Sequence, residues 1–298
     1  MWLEWEPAAM VVFILVGAVI ALRPVAARWA DVVGAFAREL AIMFTLYAVW
    51  RLAAQLSLMQ VDGAVWRGRW LWDVQRALHL PSEVSVQHLV LPHPLLVQGA
   101  NVYYAVAHVP AMILFLGWLF TFHRPRYPKI RNAMALTTGA CLLIQLIPVA
   151  PPRLVPGLGI VDTPLLYHQS VYGRIGTGIA SQLSAMPSVH VAWALLVGFG
   201  AVMVSSSRTR WFVLAHPIVT VLVVVATGNH FWLDGIVAAA LLAVALFAQR
   251  WTPIEALRDG ARTPALAGDA RPPTGNEPSD LAPDPVAATS SVAAEPST

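Results

Sequence analysis

Charged residues are scarce in this sequence of 298 residues: only 12% are Asp, Glu, Lys or Arg, whereas 57% are hydrophobic. A soluble domain carries about 25% charged residues. The mean hydropathy of +0.63 agrees with this shortage of charge. The composition therefore argues against an ordinary soluble globular protein and predicts a polytopic membrane protein.

Other features are also scarce or missing, and each absence argues against a class of protein. Cys141 is the single cysteine, so an intramolecular disulfide is impossible. The formal net charge is only +3, and no basic stripe with interleaved aromatic residues is present, which argues against nucleic-acid binding. The first ten residues, MWLEWEPAAM, lack the positive region of a cleavable signal peptide, so the first apolar run is predicted to remain as an anchor.

Hydrophobic runs of spanning or near-spanning length recur along the chain. A helix needs about 20 apolar residues to cross the hydrocarbon core of a bilayer. Seven runs of this kind lie at roughly 7–24, 36–58, 100–121, 132–150, 187–206, 210–228 and 230–249. We therefore predict an all-α fold, a polytopic membrane helical bundle with about six to seven transmembrane helices.

The segment VWRGRWLWDVQRALHL between the second and third runs has a different pattern. Trp66, Trp70 and Val74 share one face of a helix, whereas Arg69 and Asp73 point elsewhere. Tryptophans on one face of an amphipathic helix are typical of a helix that lies in the membrane interface. We therefore predict an interfacial amphipathic helix at this place.

The basic residues predict the orientation of the bundle. Short connections on one side are rich in arginine and lysine, as in residues 124–131. The positive-inside rule makes that side cytoplasmic. The N-terminus and the loops 60–99 and 151–186 are then expected outside, and the C-terminus inside.

Two histidines at predicted helix ends are expected to meet near the outer surface. His190, in SAMPSVHVAWALLVG, begins the fifth run, and His230 lies where the sixth run meets the seventh. About 40 residues separate them, which is two membrane crossings, so both should lie at the same depth. Arg153, in PVAPPRLVPG, follows the fourth run and reaches the same face.

The residue types around these histidines suit one chemistry. His230 and Asp234 are four residues apart, so on a helix they share a face, and a carboxylate that binds one ring nitrogen leaves the other more nucleophilic. Pro187 in a first helical turn would leave the next amides free to bind an anion. His190 can protonate a leaving group and Arg153 can clamp an anion. Together they favour phosphoryl transfer through a phosphohistidine, with no metal or cofactor.

Structural roles are the alternatives for several of these residues. A histidine at a helix end is more often an interfacial residue than a catalyst, and His108 in the third run is equally consistent with packing or with lining the site. A carboxylate inside a membrane helix is costly and usually functional, which favours Asp234. The prolines beside Arg153 are as consistent with a helix end as with a site.

The motifs AMPSVH and TGNHFWLD resemble the second and third signature motifs of the type 2 phosphatidic acid phosphatase superfamily. The likeness is closer to the inositolphosphotransferase branch, which includes inositol phosphorylceramide synthases. NVYYAVAHVP, VAPPRL and GIVDTP add to it, and together the motifs cover roughly residues 70–250.

This resemblance implies roles for individual residues. His230 would be the nucleophile, Asp234 would orient it, and His190 would serve as acid and base. Ser188, its adjacent amides and Arg153 would hold the phosphate oxygens. Two positions depart from the superfamily pattern, because Val224 and Leu146 stand where an arginine and a lysine are usual. The candidates to compensate for that lost charge are Arg174, Asn229 and Tyr172.

The hydrophobic runs, the composition, the distribution of basic residues and the resemblance together imply an organisation and a function. Residues 1–60 would form N-terminal transmembrane helices, 61–252 a catalytic membrane domain, and 253–298 a cytoplasmic tail too rich in Pro, Ala and Ser to fold. The protein is expected to transfer a phosphoryl group from a lipid phosphate or phosphodiester, at the extracytoplasmic face of the cell membrane, to water or to an alcohol such as inositol.

Three rival functions stay open. One is a plain phosphatase acting on phosphatidate or a polyprenyl diphosphate. Another is a haem-binding electron carrier with His190 and His230 as axial ligands, although both lie at helix ends. The third is a transporter or scaffold whose polar residues form a pathway, which would place polar residues near the middle of the membrane. The oligomeric state is not predicted.

Overall fold

The structure, a computed structural model, describes residues 5–58, 63–169 and 182–249. Regular secondary structure in these three ranges is helical, as the sequence predicts. The predicted tail at 253–298 lies outside the described residues, as do Arg174 and Tyr172. The helices are α1 Trp5–Leu22, α2 Arg28–Leu58, α3 Ala64–Ala77, α4 Glu83–Val90, α5 Pro94–Val106, α6 His108–Phe122, α7 Tyr127–Gln145, α8 Thr163–Leu166, α9 Val189–Val204, α10 Ala215–Ala226 and α11 Trp232–Ala248.

Three segments of the described chain are long and apolar enough to cross a membrane, namely Trp5–Leu22, Arg28–Val49 and Arg208–Ala226. A fourth arises if α5 and α6, which meet at an angle of 51°, count as one broken span. Helices α9 and α11 are apolar but shorter. Length and composition thus support several membrane helices, while the count of six to seven stays a prediction.

The sequence predicts one continuous run at 100–121, but the chain bends at Ala107, between α5 and α6. Pro110 explains the bend, because it has no N–H to donate to the carbonyl four residues earlier and its ring crowds that turn. Tyr104 and His108 consequently lie on either side of the break.

Helix α9 is central to the bundle. It packs against α6, α7, α10 and α11. Its inner residues Leu196, Val197 and Ala201 join a buried cluster with Phe115 and Leu119 of α6. Because α10 returns along α9 and α11 starts only a few residues after α10 ends, the start of α9 and the loop 227–231 lie at the same end of the bundle.

Helix α3 lies against the loops at that end. Trp66 and Trp70 are exposed, whereas Leu71 and Gln75 are buried. Gly68 allows the close approach, because a Cβ atom there would lie 2.6 Å from the carbonyl oxygen of Ala150. The amphipathic helix expected from the sequence is therefore present, and its place in a membrane interface stays a prediction.

Candidate active site

Helix α9 begins two residues later than the run predicted at 187–206. Its first residue is Val189, Ser188 is the N-cap, and Pro187 lies before the cap rather than in the first turn. The Ser188 hydroxyl oxygen accepts from the amide of Val191 at 3.3 Å, and the Ser188 amide donates to the carbonyl of Asp234 at 3.2 Å. The amides of Val189 and His190 have no acceptor among the described residues, so the positive end of the α9 dipole is directed toward this site.

His230 precedes α11, which starts at Trp232. Its Nδ1 lies 2.7 Å from the carbonyl oxygen of Ala185 and 3.3 Å from Oδ2 of Asp234. A carbonyl oxygen can only accept, so Nδ1 carries the proton and Nε2 holds the lone pair in the neutral ring. Nε2 is buried and has no hydrogen-bond partner in the described part of the chain. The ring is therefore fixed in the tautomer that a nitrogen nucleophile needs.

Asp234 is fully buried at the start of α11. Its Oδ2 accepts from the amide of Phe231 at 2.8 Å, so the carboxylate caps the helix as well as facing the Nδ1 of His230. The predicted contact between the two residues is present. It arises from this capping geometry, and not from two positions on one helical face, because His230 is outside the helix.

His190 lies close to His230, with ring centroids 5.6 Å apart. Tyr104 stacks on the His190 ring at 4.4 Å, and His108 contacts it edge-on at 4.2 Å. These two residues come from the two sides of the break at Ala107. The broken helix α5–α6 therefore fixes the orientation of His190 toward His230.

Arg153 is held by acceptors from three segments. Its Nε donates to Oδ1 of Asn229 at 3.0 Å, and its two terminal nitrogens donate to Asp162 at 2.7 Å and to Gln182 at 2.9 Å. The backbone amide of Arg153 also donates to the carbonyl of Gly228 at 3.0 Å. The guanidinium is thus tied to the loop that carries His230.

Asn229 has its amide group engaged in this framework. It accepts from Arg153 and donates to the hydroxyl of Thr227 at 2.8 Å. Gly228, with φ of +68°, completes the turn, and a Cβ atom there would lie 2.7 Å from Ile160. The structure therefore brings together His190, His230, Asp234, Ser188, Arg153 and Asn229, while Arg174 lies outside the described residues.

Some residues of the site carry no sequence signal. Ala185 contributes only its carbonyl, and nothing in a one-letter sequence shows where a carbonyl points. Gln182 and Gln145 contribute side chains, the latter donating to the carbonyl of Pro187 at 2.9 Å. Gln145 is the exception, because a glutamine in an apolar run indicates a polar partner in the interior.

The helical architecture and the paired imidazoles define a class of protein: an all-helical, membrane-type protein with a two-histidine site at one end of its bundle. The comparison with family models is specific. Residues 69–248 match the PAP2 superfamily, and the chain belongs to that superfamily. This membership supports an enzyme of the phosphatase or phosphotransferase type that acts on lipid phosphates. No curated protein and no solved structure gives a significant match.

Proposed function

We propose that the protein transfers a phosphoryl group from a lipid phosphate or phosphodiester through a phosphohistidine on His230. The observation that carries this proposal is the state of the His230 ring. Its Nδ1 faces the Ala185 carbonyl at 2.7 Å, so the lone pair is on Nε2, and the His190 ring centroid lies 5.6 Å from that of His230. A nitrogen nucleophile next to an acid–base group is the arrangement that covalent phosphoryl transfer needs.

The chemical steps follow from these positions. The lone pair on Nε2 of His230 attacks phosphorus, and the bond from phosphorus to the leaving oxygen breaks. Protonated His190 gives its proton to that oxygen. In the second step His190 removes a proton from water or an alcohol, whose oxygen attacks phosphorus and releases His230. The buried carboxylate of Asp234 stabilises the positive charge on the His230 ring while the phosphoryl group is attached.

The start of α9 and Arg153 are suited to the phosphate oxygens. The amides of Val189 and His190 and the positive end of the helix dipole favour an anion at this point. Val224 and Leu146 replace an arginine and a lysine of the superfamily pattern, which lowers the positive charge expected near the phosphate. A phosphodiester carries one negative charge and a phosphomonoester up to two, so this loss favours a phosphodiester donor. Transfer to an alcohol such as inositol is proposed from the likeness to the inositolphosphotransferase branch.

We further propose that the site faces the extracytoplasmic side of the cell membrane, with the C-terminal tail in the cytoplasm. The support is the excess of arginine and lysine in the connections at the opposite end of the bundle, such as residues 124–131. Cysteines introduced at exposed positions on either side, labelled with an impermeant maleimide in intact cells, test this orientation. Labelling of a cysteine at position 125 and none at position 88 would contradict it.

Trapping the covalent intermediate tests the proposal directly. Purified protein in lipid nanodiscs is mixed with one of three substrates labelled with phosphorus-32: phosphatidate, a polyprenyl diphosphate labelled in its terminal phosphate, or phosphatidylinositol labelled in its phosphate. The reaction is quenched in alkali, where phosphohistidine survives. Labelled protein is expected with wild type and with His88→Ala, since His88 is exposed on α4. His230→Ala should give none. Label on His230→Ala equal to wild type would refute the role of His230.

The acceptor is tested in the same system. Free phosphate and new lipid or inositol phosphate products are followed with and without inositol. Product formed only with inositol present identifies a transferase, and phosphate release unaffected by inositol identifies a phosphatase. A Soret band in the purified protein would instead support the haem-binding alternative.

A further inference from the structure

Helix α4 carries two polar side chains into the protein interior. Glu83 and Gln87 are one helical turn apart, lie on the same face, and are both fully buried. Burial of a carboxylate and an amide is costly unless partners satisfy them. The inner face of α4, a helix of eight residues, is therefore unusual because it buries a carboxylate and an amide. The hydrogen-bond partners of Glu83 and Gln87 show what these two side chains hold in place.

Gln87 joins two segments that are far apart in sequence. Its Nε2 donates to the carbonyls of Val161 and Ala226, both at 3.0 Å, and its Oε1 accepts from the amide of Val161 at 2.7 Å. Because Val161 needs an acceptor for its amide and a donor for its carbonyl, the orientation of the Gln87 amide is fixed. One side chain thus sets the distance between Val161 and the end of α10.

Glu83 reaches the start of α11. Its Oε1 accepts from the backbone amide of Trp232 at 3.4 Å, and Gln75 donates to the same oxygen. Its Oε2 pairs with Arg76 at 3.3 Å. Trp232 is the first residue of α11, where a negative charge is favourable for the helix dipole.

The two contacts bracket the loop that carries His230. Ala226 immediately precedes residues 227–231, and Trp232 immediately follows them. Val161 is next to Asp162, which binds Arg153 at 2.7 Å. Gln87 and Glu83 therefore hold the two ends of loop 227–231. Gln87 also holds Val161, the neighbour of the Asp162 that binds Arg153.

We propose that Gln87 and Glu83 are positioning residues that fix His230 against His190 through the two ends of loop 227–231. This inference rests on the proposed role of His230. Neither side chain contacts the reacting atoms. Their effect is on the geometry of the nucleophile, for which a displacement of about 1 Å can cost a hundred-fold in rate.

The test uses a substitution that preserves side-chain volume. Gln87→Met fills the same space but makes none of the three hydrogen bonds, and His88→Met on the exposed face of α4 is the matched control. In full-length protein in nanodiscs, the kcat of Gln87→Met and its single-turnover rate of phosphoenzyme formation are both expected to fall roughly ten- to a hundred-fold. KM should change by less than about two-fold. The control should match wild type. Thermal unfolding of each variant confirms that the assay temperature lies below the transition.

Glu83 supplies a second measurement that survives a failure of Gln87→Met to fold. Glu83→Gln keeps an oxygen that can accept from Trp232, so its kcat should lie between those of wild type and Glu83→Ala. Equal kcat values for wild type, Gln87→Met and Glu83→Ala would overturn the inference. So would a decrease in kcat no larger than the decrease in the fraction of folded protein in each variant. His230→Ala, assayed in parallel, separates the two claims. If it stays active, the proposed function has failed; if it is inactive while the α4 variants are normal, only this inference has failed.

Discussion

Replacing Asp234 with asparagine tests the electrostatic part of the mechanism while it preserves most of the structure. The carboxylate is fully buried, and its Oδ2 lies 2.8 Å from the amide of Phe231 and 3.3 Å from Nδ1 of His230. An asparagine has the same shape and keeps a carbonyl oxygen for the Phe231 amide. The cap of α11 is therefore retained, and what is lost is one negative charge beside the His230 ring.

The size of the effect follows from the distance. The ring gains about one positive charge when Nε2 bonds to phosphorus. Two unit charges 3.3 Å apart interact by about 5 kcal/mol at an effective dielectric constant of about 20. The amide dipole of asparagine and the Ala185 carbonyl recover part of this energy. Since about 1.4 kcal/mol is a factor of ten in rate, kcat is expected to fall roughly a hundred- to a thousand-fold.

Single-turnover formation of the labelled phosphoenzyme measures that rate without interference from product release. Asp73→Asn is the matched control, because Asp73 is exposed on α3. Substrate affinity should change little, since Asp234 does not face the phosphate. A rate for Asp234→Asn within about two-fold of wild type, in protein of normal stability, would show that the charge next to His230 does not assist the reaction.

Three further predictions concern other parts of the site. In single-turnover phosphoenzyme formation, which excludes the later step where His190 acts as base, His190→Asn should slow lipid substrates roughly a hundred- to ten-thousand-fold but slow an aryl phosphate much less, because a phenolate of low pKa leaves without being protonated; equal losses on both would contradict its role as acid. Gly228→Ala, at φ of +68° and with a Cβ 2.7 Å from Ile160, should destabilise the protein by about 2–4 kcal/mol and abolish activity, as measured by denaturation and turnover. Burial raises the pKa of Glu83 above its ordinary value of 4.5, against the hydrogen bond from Gln75 and the charge of Arg76. As pH rises, the Glu83 carboxyl therefore loses its proton in the unfolded protein before it does so in the folded protein. The Tm of wild type, measured relative to that of Glu83→Gln, should fall as pH rises above 4.5. A difference in Tm that does not change with pH would contradict the burial argument.

The helical fold could be predicted because apolar runs of about membrane-spanning length can be recognised directly in the sequence. The places where prediction failed have local causes. Pro110 breaks the third run, although hydropathy averaged over 100–121 shows no interruption. Helix α9 starts after Ser188 because its hydroxyl caps Val191, and the sequence pattern alone had placed Pro187 inside the first turn. In the first case the missing N–H of Pro110 ends a helix, and in the second the amide of Val191, which donates to Ser188, marks where a helix begins.

The candidate site was predictable as a set of residues but not as a set of contacts. The proximity of His190 and His230 was predictable because the chain between them runs out along α9 and back along α10. The partner of Nδ1 does not follow, because Ala185 is 45 residues away and offers a carbonyl. Likewise, nothing in the sequence indicates that Gln182 reaches Arg153 or that Gln87 reaches the end of α10.

Backbone carbonyls explain how loop 227–231 is fixed although Val224, just before it, departs from the superfamily pattern. Val224 has no charge to offer a phosphate, but its carbonyl accepts from the amides of Asn229 at 3.0 Å and His230 at 3.1 Å. With the Gly228 carbonyl bound to Arg153, the loop is held from both sides by groups that any residue supplies. The Val224 side chain belongs to a buried cluster with Tyr104 and Val191, so position 224 supports the loop through packing as well as through its carbonyl. Substitutions at Gly228 or Gln87, which act on the backbone of this loop or on its ends, should alter whether His230 can reach the phosphate.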